Sequence, residues 1–180
     1  MRNITKLFFI SAMALMTVTS CKKEENNNNN TPANTNSGIA SCEVNGKSWT
    51  SGKTGSYLGT DSLPGCEAVL VGDTMTFIAT NFTDSSVVLA QLVLKPARTG
   101  SYTGTTSTEG AMLYLPKLDQ NSIFQAFLMY TTTYSMNITQ WNEGTKTLSG
   151  TFNLNMVSNI GGSGYNITNG KFTDVKFSLE

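Results

Sequence analysis

Leu148-Ser149-Gly150-Thr151-Phe152-Asn153-Leu154-Asn155-Met156 is the stretch that decides the fold. A period of two puts Leu148, Gly150, Phe152, Leu154 and Met156 on one face of a strand, and Ser149, Thr151, Asn153 and Asn155 on the other. The same alternation recurs elsewhere. Val175, Phe177 and Leu179 alternate with Asp174, Lys176 and Ser178, and Met75, Phe77 and Ala79 alternate with Thr74, Thr76 and Thr80, although Ile78 interrupts the polar side. Residues 87–94 and 123–130 are apolar almost throughout. They read as strands covered on both faces, or as strands whose second face lines a pocket.

Turn chemistry falls between these runs. Asn45-Gly46 and Gly72-Asp73 are two-residue hairpin cues, and Asn142-Glu143-Gly144-Thr145 links a strand ending near Trp141 to the one starting at Leu148. Asn169-Gly170 reads as the last tight turn, and Pro96 and Pro116 close other strands. No window of eleven or more residues after the N-terminal region carries a helical stripe. The expectation is an all-β domain, an antiparallel β-sandwich or open β-barrel of about nine or ten short strands, mostly a meander. A Greek-key sandwich of the immunoglobulin kind is the rival strand order.

The N-terminus has a different character. Arg2 and Lys6 precede an apolar run from Leu7 to Val18 that is broken only by Ser11 and Thr17. That run is about 12 residues, and a bilayer-spanning helix needs roughly 20. It therefore reads as an export signal, residues 1–20. Val18-Thr19-Ser20-Cys21 resembles the lipobox of bacterial lipoproteins, and the resemblance implies a diacylglyceryl thioether on Cys21 with cleavage before it. Two or more acyl chains make such an anchor stable.

Residues 21–38 follow as a lipidated, Asn-rich tether, with five consecutive asparagines at 26–30. The tract has too little apolar surface to offset its ordering entropy. Lys23-Glu24-Glu25 just after Cys21 resembles the surface-export signal of Bacteroidota lipoproteins. That implies the outer face of the outer membrane; a periplasm-facing lipoprotein is the alternative. Residues 39–180 form the single β-domain, long enough for one core.

The chain carries 12 Lys+Arg against 12 Asp+Glu. Removing the signal takes Arg2 and Lys6 with it and leaves a slight acidic excess. Nothing in that balance favours nucleic acid, whose phosphates call for a basic face. The expected membrane partner is reached through the lipid on Cys21.

Cys42 and Cys66 remain after lipidation. Outside the cytoplasm they form a plausible disulfide that would close a loop of about 25 residues, worth roughly 3 kcal/mol; two buried free thiols are the other reading. With no histidine in the chain, they cannot complete a zinc site, and no metal or other cofactor is expected.

Two further groups of residues carry a family resemblance. Val44-Asn45-Gly46-Lys47-Ser48-Trp49 near the front, Leu148-Ser149-Gly150-Thr151-Phe152 and Thr168-Asn169-Gly170-Lys171-Phe172 near the end resemble small Bacteroidota lipoproteins of uncharacterised function. The resemblance covers the two ends of the chain and leaves the middle unmatched. It implies the fold class and the location, and supplies no catalytic or binding residue. Asp61-Ser62-Leu63 and Asp73-Thr74-Met75 resemble the three-residue O-glycosylation site of exported Bacteroidota proteins, with Ser62 and Thr74 as acceptors.

The missing histidine also removes Ser-His-Asp and Cys-His catalysis and the commonest general base near neutral pH. A carboxylate pair could still hydrolyse glycosides. Glu43, Asp61, Glu67, Asp73, Asp84, Glu109, Asp119, Glu143, Asp174 and Glu180 are available for it, but several sit in predicted turns. Trp49 reads as a core plug. Tyr102, Tyr114, Tyr130, Tyr134, Trp141 and Tyr165 are the aromatics from which a sugar-stacking or protein-binding face could be built.

The expected role is a non-enzymatic, lipid-anchored binding or scaffolding domain whose partner is a glycan, an apolar ligand or a protein. A lipocalin-like carrier of an apolar ligand, or an adhesive surface subunit, is the alternative. Replacing Cys21 by Ser should abolish fatty-acid labelling and move the protein from the detergent to the aqueous phase on partitioning. Continued membrane retention would reject the anchor.

Overall fold

Tight hairpins set the strand order. The computed structural model describes residues 38–55, 63–105, 110–117, 125–126 and 130–180. Among them the strands are β1 (Ile39–Val44), β2 (Lys47–Thr50), β3 (Thr54–Gly55), β4 (Leu63–Pro64), β5 (Cys66–Val71), β6 (Thr74–Asn81), β7 (Ser86–Val93), β8 (Gly100–Thr105), β9 (Gly110–Leu115), β10 (Tyr130–Asn142), β11 (Thr147–Ser158) and β12 (Tyr165–Leu179). Asn45 and Gly46, with φ of 50° and 75°, turn β1 into β2, and Gly72-Asp73 turns β5 into β6. Both are the two-residue connections that match strand twist. The domain is all-β, as expected.

Ten strands form one sheet in the order β8-β10-β11-β12-β5-β6-β7-β9, with the β1–β2 hairpin attached to β12; β3 and β4 pair separately. Two meanders, β5-β6-β7 and β10-β11-β12, are joined by a parallel contact in which Lys176 to Leu179 run alongside Glu67 to Leu70. The free edges β8 and β9 come together: the Tyr134 hydroxyl lies against Gly104 of β8 and Gly110 of β9. The Tyr114 amide of β9 also reaches across to the Met156 sulfur of β11 at 3.2 Å. The sheet is therefore a nearly closed barrel rather than two flat layers.

The final strand does the most work in this arrangement. β12 pairs with β11 along one edge, while its other edge is shared in succession by β1 and β5. Two bulges allow the change of partner. Thr173 and Asp174 together oppose Ser149, with Asp174 at φ 50° and its amide donating to the Ser149 hydroxyl at 3.0 Å. Thr168 and Asn169 oppose Asn153, with Asn169 at φ 55°. Such insertions bend a strand and increase its twist.

The Asn169-Gly170 pair is thus a bulge inside a 15-residue strand, not the tight turn that its composition announces. The β11–β12 connection lies earlier, at 159–164.

The inward faces follow the alternation. Leu148, Gly150, Phe152, Leu154 and Met156 are all buried, as are Met75, Phe77, Ala79, Val175 and Phe177, whereas Leu179 at the strand end is exposed. Phe77, Phe152 and Phe172 meet at the centre with centroids 5.2–6.4 Å apart, in tilted and offset geometries that aromatic quadrupoles favour. Met75, Met112 and Met136, adaptable in shape, are fully buried in the same core.

β7 and β9 are covered on both faces, which explains the nearly continuous apolar run at 87–94. The run at 123–130 differs from expectation. Of its described residues, Gln125 and Ala126 are helical and Tyr130 begins β10. Unbroken apolar character cannot separate a buried strand from a buried helical turn. Residues 1–37, with the signal, Cys21 and most of the tether, lie outside the described residues, as does Ser62. Gly38, read as tether, is buried on the Val175 backbone. Among the described residues no helix is long and apolar enough to cross a membrane.

Gly150 sits where β11 crosses the bulged neighbours most closely. A methyl group there would be driven into the Asn137 carbonyl oxygen and to 2.6 Å from the tip of the Phe172 ring. Gly150→Ala should cost about 2 kcal/mol or more, read as a lower denaturant midpoint at unchanged slope. Gly144→Ala, in the exposed β10–β11 loop, should stay within about 0.5 kcal/mol.

Candidate functional site

A neutral face on β10, β11 and β12 is the feature with chemistry to offer. Alternation turns Thr131, Thr133, Ser135 and Asn137 of β10 outward, with Thr151, Asn153, Asn155 and Val157 of β11 and Asn166 and Thr168 of β12. Register sets them in rows. Thr133 opposes Asn155, which opposes Asn166, and Ser135 opposes Asn153 beside the Thr168–Asn169 bulge. Strands lie about 4.8 Å apart, so a row crosses three strands in about 10 Å.

Between these rows is an open groove of about 320 Å³, walled by Thr133, Ser135, Asn153, Asn155, Asn166 and Thr168. No charged side chain lines it. Thr168 donates to Glu43 at 3.4 Å. The side chains of Thr133, Ser135, Asn153, Asn155 and Asn166 make no hydrogen bond among the described residues. A carboxamide carries two donor positions and an acceptor, and a hydroxyl carries one donor and acceptor lone pairs. The groove therefore presents a dense, uncharged set of unused hydrogen-bonding groups.

The residues singled out by sequence are dispersed. Thr74 is half-buried at the start of β6, next to Asp73, whose carboxylate meets Arg98 at 3.2 Å. Asp84 accepts hydrogen bonds from the Ser86 amide and hydroxyl. Ser86 in turn accepts from the Trp49 indole at 2.7 Å, so Trp49 is a core plug held by its ring nitrogen. Asp174 is exposed at its bulge, where its backbone amide donates to Ser149. Glu67 is half-buried, and burial raises its carboxyl above the usual carboxylate range. Glu143 is held below that range by the Trp141 indole and the Lys146 ammonium, at 2.6 and 3.1 Å.

These carboxylates sit on different elements, and among the described residues no three acidic or thiol groups cluster as metal ligands. Asp61, Glu109 and Asp119 lie outside the described residues.

The aromatics divide similarly. Tyr102, Tyr114 and Tyr134 are buried, and Tyr114 packs on Tyr165, which packs on Tyr130. Trp141 stacks on Phe177 at 4.3 Å. Of these residues only Tyr134 is among those that line the groove, and its side chain is buried.

The Cys42–Cys66 bridge is not formed. Both are free, buried thiols, on β1 and β5, strands that never pair with each other but occupy successive stretches of the β12 edge. Burial, with Glu43 adding to it, pushes the Cys42 thiol up to about 12, and burial beside Glu67 raises Cys66 further. Neither is a thiolate near neutral pH, so neither is a nucleophile.

Sequence reasoning missed the groove because each of its residues is an ordinary solvent-side position of a strand. The available signal was compositional: the outward positions of β10 and β11 carry Thr, Ser and Asn with no Lys, Arg, Asp or Glu. No family model, curated protein or solved structure matches the chain.

Native protein at about pH 8, where an ordinary thiol is partly ionised, should take up no iodoacetamide on Cys42 or Cys66. Denaturant alone, without reductant, should expose both to alkylation. A bridge that needs reduction first would contradict the free-thiol structure.

Proposed function

We propose that the chain is a lipid-tethered, non-enzymatic binding module at the outer-membrane surface, and that the β10–β12 groove captures a neutral glycan. The observation that carries this reading is the set of five uncharged, unengaged hydroxyl and carboxamide side chains on three adjacent strands. A ligand able to use them has many hydroxyls and little charge. Each hydrogen bond contributes only about 0.5–1.5 kcal/mol net, so affinity has to come from several at once, as an oligosaccharide provides. The strands hold the side chains in fixed rows, which lowers the ordering cost of binding.

The lipobox, tether and Lys23-Glu24-Glu25 support the surface placement. The alternative, a carrier of an apolar ligand, would need a cavity beside the buried Phe77, Phe152, Phe172 and methionine side chains.

Titration of the full mature lipoprotein in detergent with neutral oligosaccharides should show saturable binding. Asn155→Ala with Asn166→Ala should weaken it by about tenfold or more, the loss of roughly two hydrogen bonds, with stability unchanged. Binding that ignores both substitutions, or the absence of binding to every neutral oligosaccharide, would overturn the reading.

A further inference from the structure

Hydrophobic side chains left in water gather at one end of the barrel. Six large ones are exposed among the described residues: Ile39, Val71, Val93, Val157, Ile160 and Leu179. Leu179 pairs with Leu70, next to Val71; Val71 opposes Thr74, which opposes Val93. Directly opposed residues share a face. Val71, Thr74 and Val93 therefore make one outward row across β5, β6 and β7, with Leu179 at the adjoining end of β12. At about 4.8 Å per strand the three aliphatics span roughly 15 Å, and each is more than half exposed. Val69, half-buried, carries the apolar surface further along β5.

The chain enters the domain on the same side. Gly38 rests on the Val175 backbone, four residues or about 13 Å of strand short of Leu179. From Ile39, β1 leads the other way, to the Asn45-Gly46 turn, where the Asn45 amide donates to the Asn166 carbonyl near the start of β12. Ile39, a fourth exposed aliphatic, marks the point of entry. Cys21 precedes Gly38 by seventeen residues, a distance of at most about 60 Å when fully drawn out. A bilayer that holds acyl chains on Cys21 is therefore never far from the aliphatic end, and each approach of the domain to it is intramolecular.

The turns at this end have their charges paired. Asp73 meets Arg98 at 3.2 Å, and Glu143 meets Lys146 at 3.1 Å. Lys95 donates to the Ser101 carbonyl at 2.7 Å. A surface that fits here offers apolar contact and needs no net charge, as a zwitterionic bilayer interface does. Neighbouring exposed aliphatics mark protein or membrane contacts. A soluble protein would meet this patch only at its own concentration, whereas the anchor fixes the bilayer beside it.

We infer that the barrel docks on the bilayer that carries its anchor, with Leu179, Val71 and Val93 seated among the lipid headgroups. The inference rests on the lipid-anchor reading above and adds an orientation to it. Docked this way, the domain holds its groove away from the membrane: Thr168 in the groove wall is 11 residues from Leu179, about 36 Å of strand.

The test attaches a nitrobenzoxadiazole label to the full mature lipoprotein at one of two exposed serines. Ser178→Cys puts the label beside Leu179, and Ser163→Cys puts it in the connection at the other end of β12; Cys42 and Cys66 are buried and stay unlabelled in native protein. The protein is reconstituted in phosphatidylcholine vesicles that contain spin-labelled lipid. The label at 178 should be quenched about threefold or more strongly than the label at 163, because roughly 40 Å of strand separates them. Val71→Ser, Val93→Ser and Leu179→Ser together should lower quenching at 178 to the level at 163, and high salt should leave the difference in place. Equal quenching at the two positions would overturn the docking inference while leaving the anchor standing. Undiminished quenching in the triple variant, or a difference that vanishes in high salt, would do the same. Failure of the mature protein to enter vesicles would overturn the anchor and the inference with it. A sugar located on Thr74 by mass spectrometry would also overturn docking, because a glycan between Val71 and Val93 would hold the row off the bilayer.

Discussion

The divided edge of β12 is the constraint from which the rest of the molecule follows. One strand of 15 residues has β11 on one side and, on the other, first β1 running antiparallel and then β5 running parallel. A straight strand could not serve both partners in good register. The bulges at Thr168–Asn169 and Thr173–Asp174 supply the bend, and the left-handed backbone they need falls on Asn169 and Asp174, residues for which that region is least costly. Asp174 is then secured by Ser149, whose neighbour Gly150 leaves room for the Phe172 ring. The central aromatic cluster, the β1–β2 hairpin and the closure of the barrel all hang on this joint.

The same joint shapes the outside. Because β12 bends and twists beside Asn153, the outward side chains of β10, β11 and β12 line a shallow concavity rather than a smooth convex wall. The inside is apolar, and the groove on the outer face of these three strands is lined by uncharged, hydrogen-bonding side chains. With no charged side chain lining the groove, recognition there has to be read in directional hydrogen bonds and small apolar contacts, not in charge.

Much of the fold was legible in the chain because alternation is a direct image of a half-buried strand. Leu148 to Met156 and Met75 to Ala79 obey it without exception on the buried side. Misreadings occurred where one local chemistry serves two structures. Asn-Gly satisfies positive φ in a two-residue turn and equally in a bulge, and only long-range pairing distinguishes them at Asn169-Gly170. An apolar run at 123–130 fits a covered strand or a covered helical turn. Two cysteines in a chain that reads as exported suggest a bridge, yet Cys42 and Cys66 are set on strands that do not pair. The groove was illegible residue by residue, since adjacency of Asn155, Asn166 and Thr133 depends on register across three strands, which periodicity does not encode.

Placing the last strand at the structural centre has a consequence for how the chain comes to exist. Until β12 is available, β1, β5 and β11 each lack one of their neighbours, and the aromatic cluster lacks Phe172. The two pairings that tie the ends of the chain together, β1 with β12 and β5 with β12, span long sequence separations, so their loop closure precedes any reward. A growing chain consequently cannot join its two meanders until β12 is available. A product truncated before Tyr165 lacks the strand that joins β11 to β1 and β5, and with it the closed sheet.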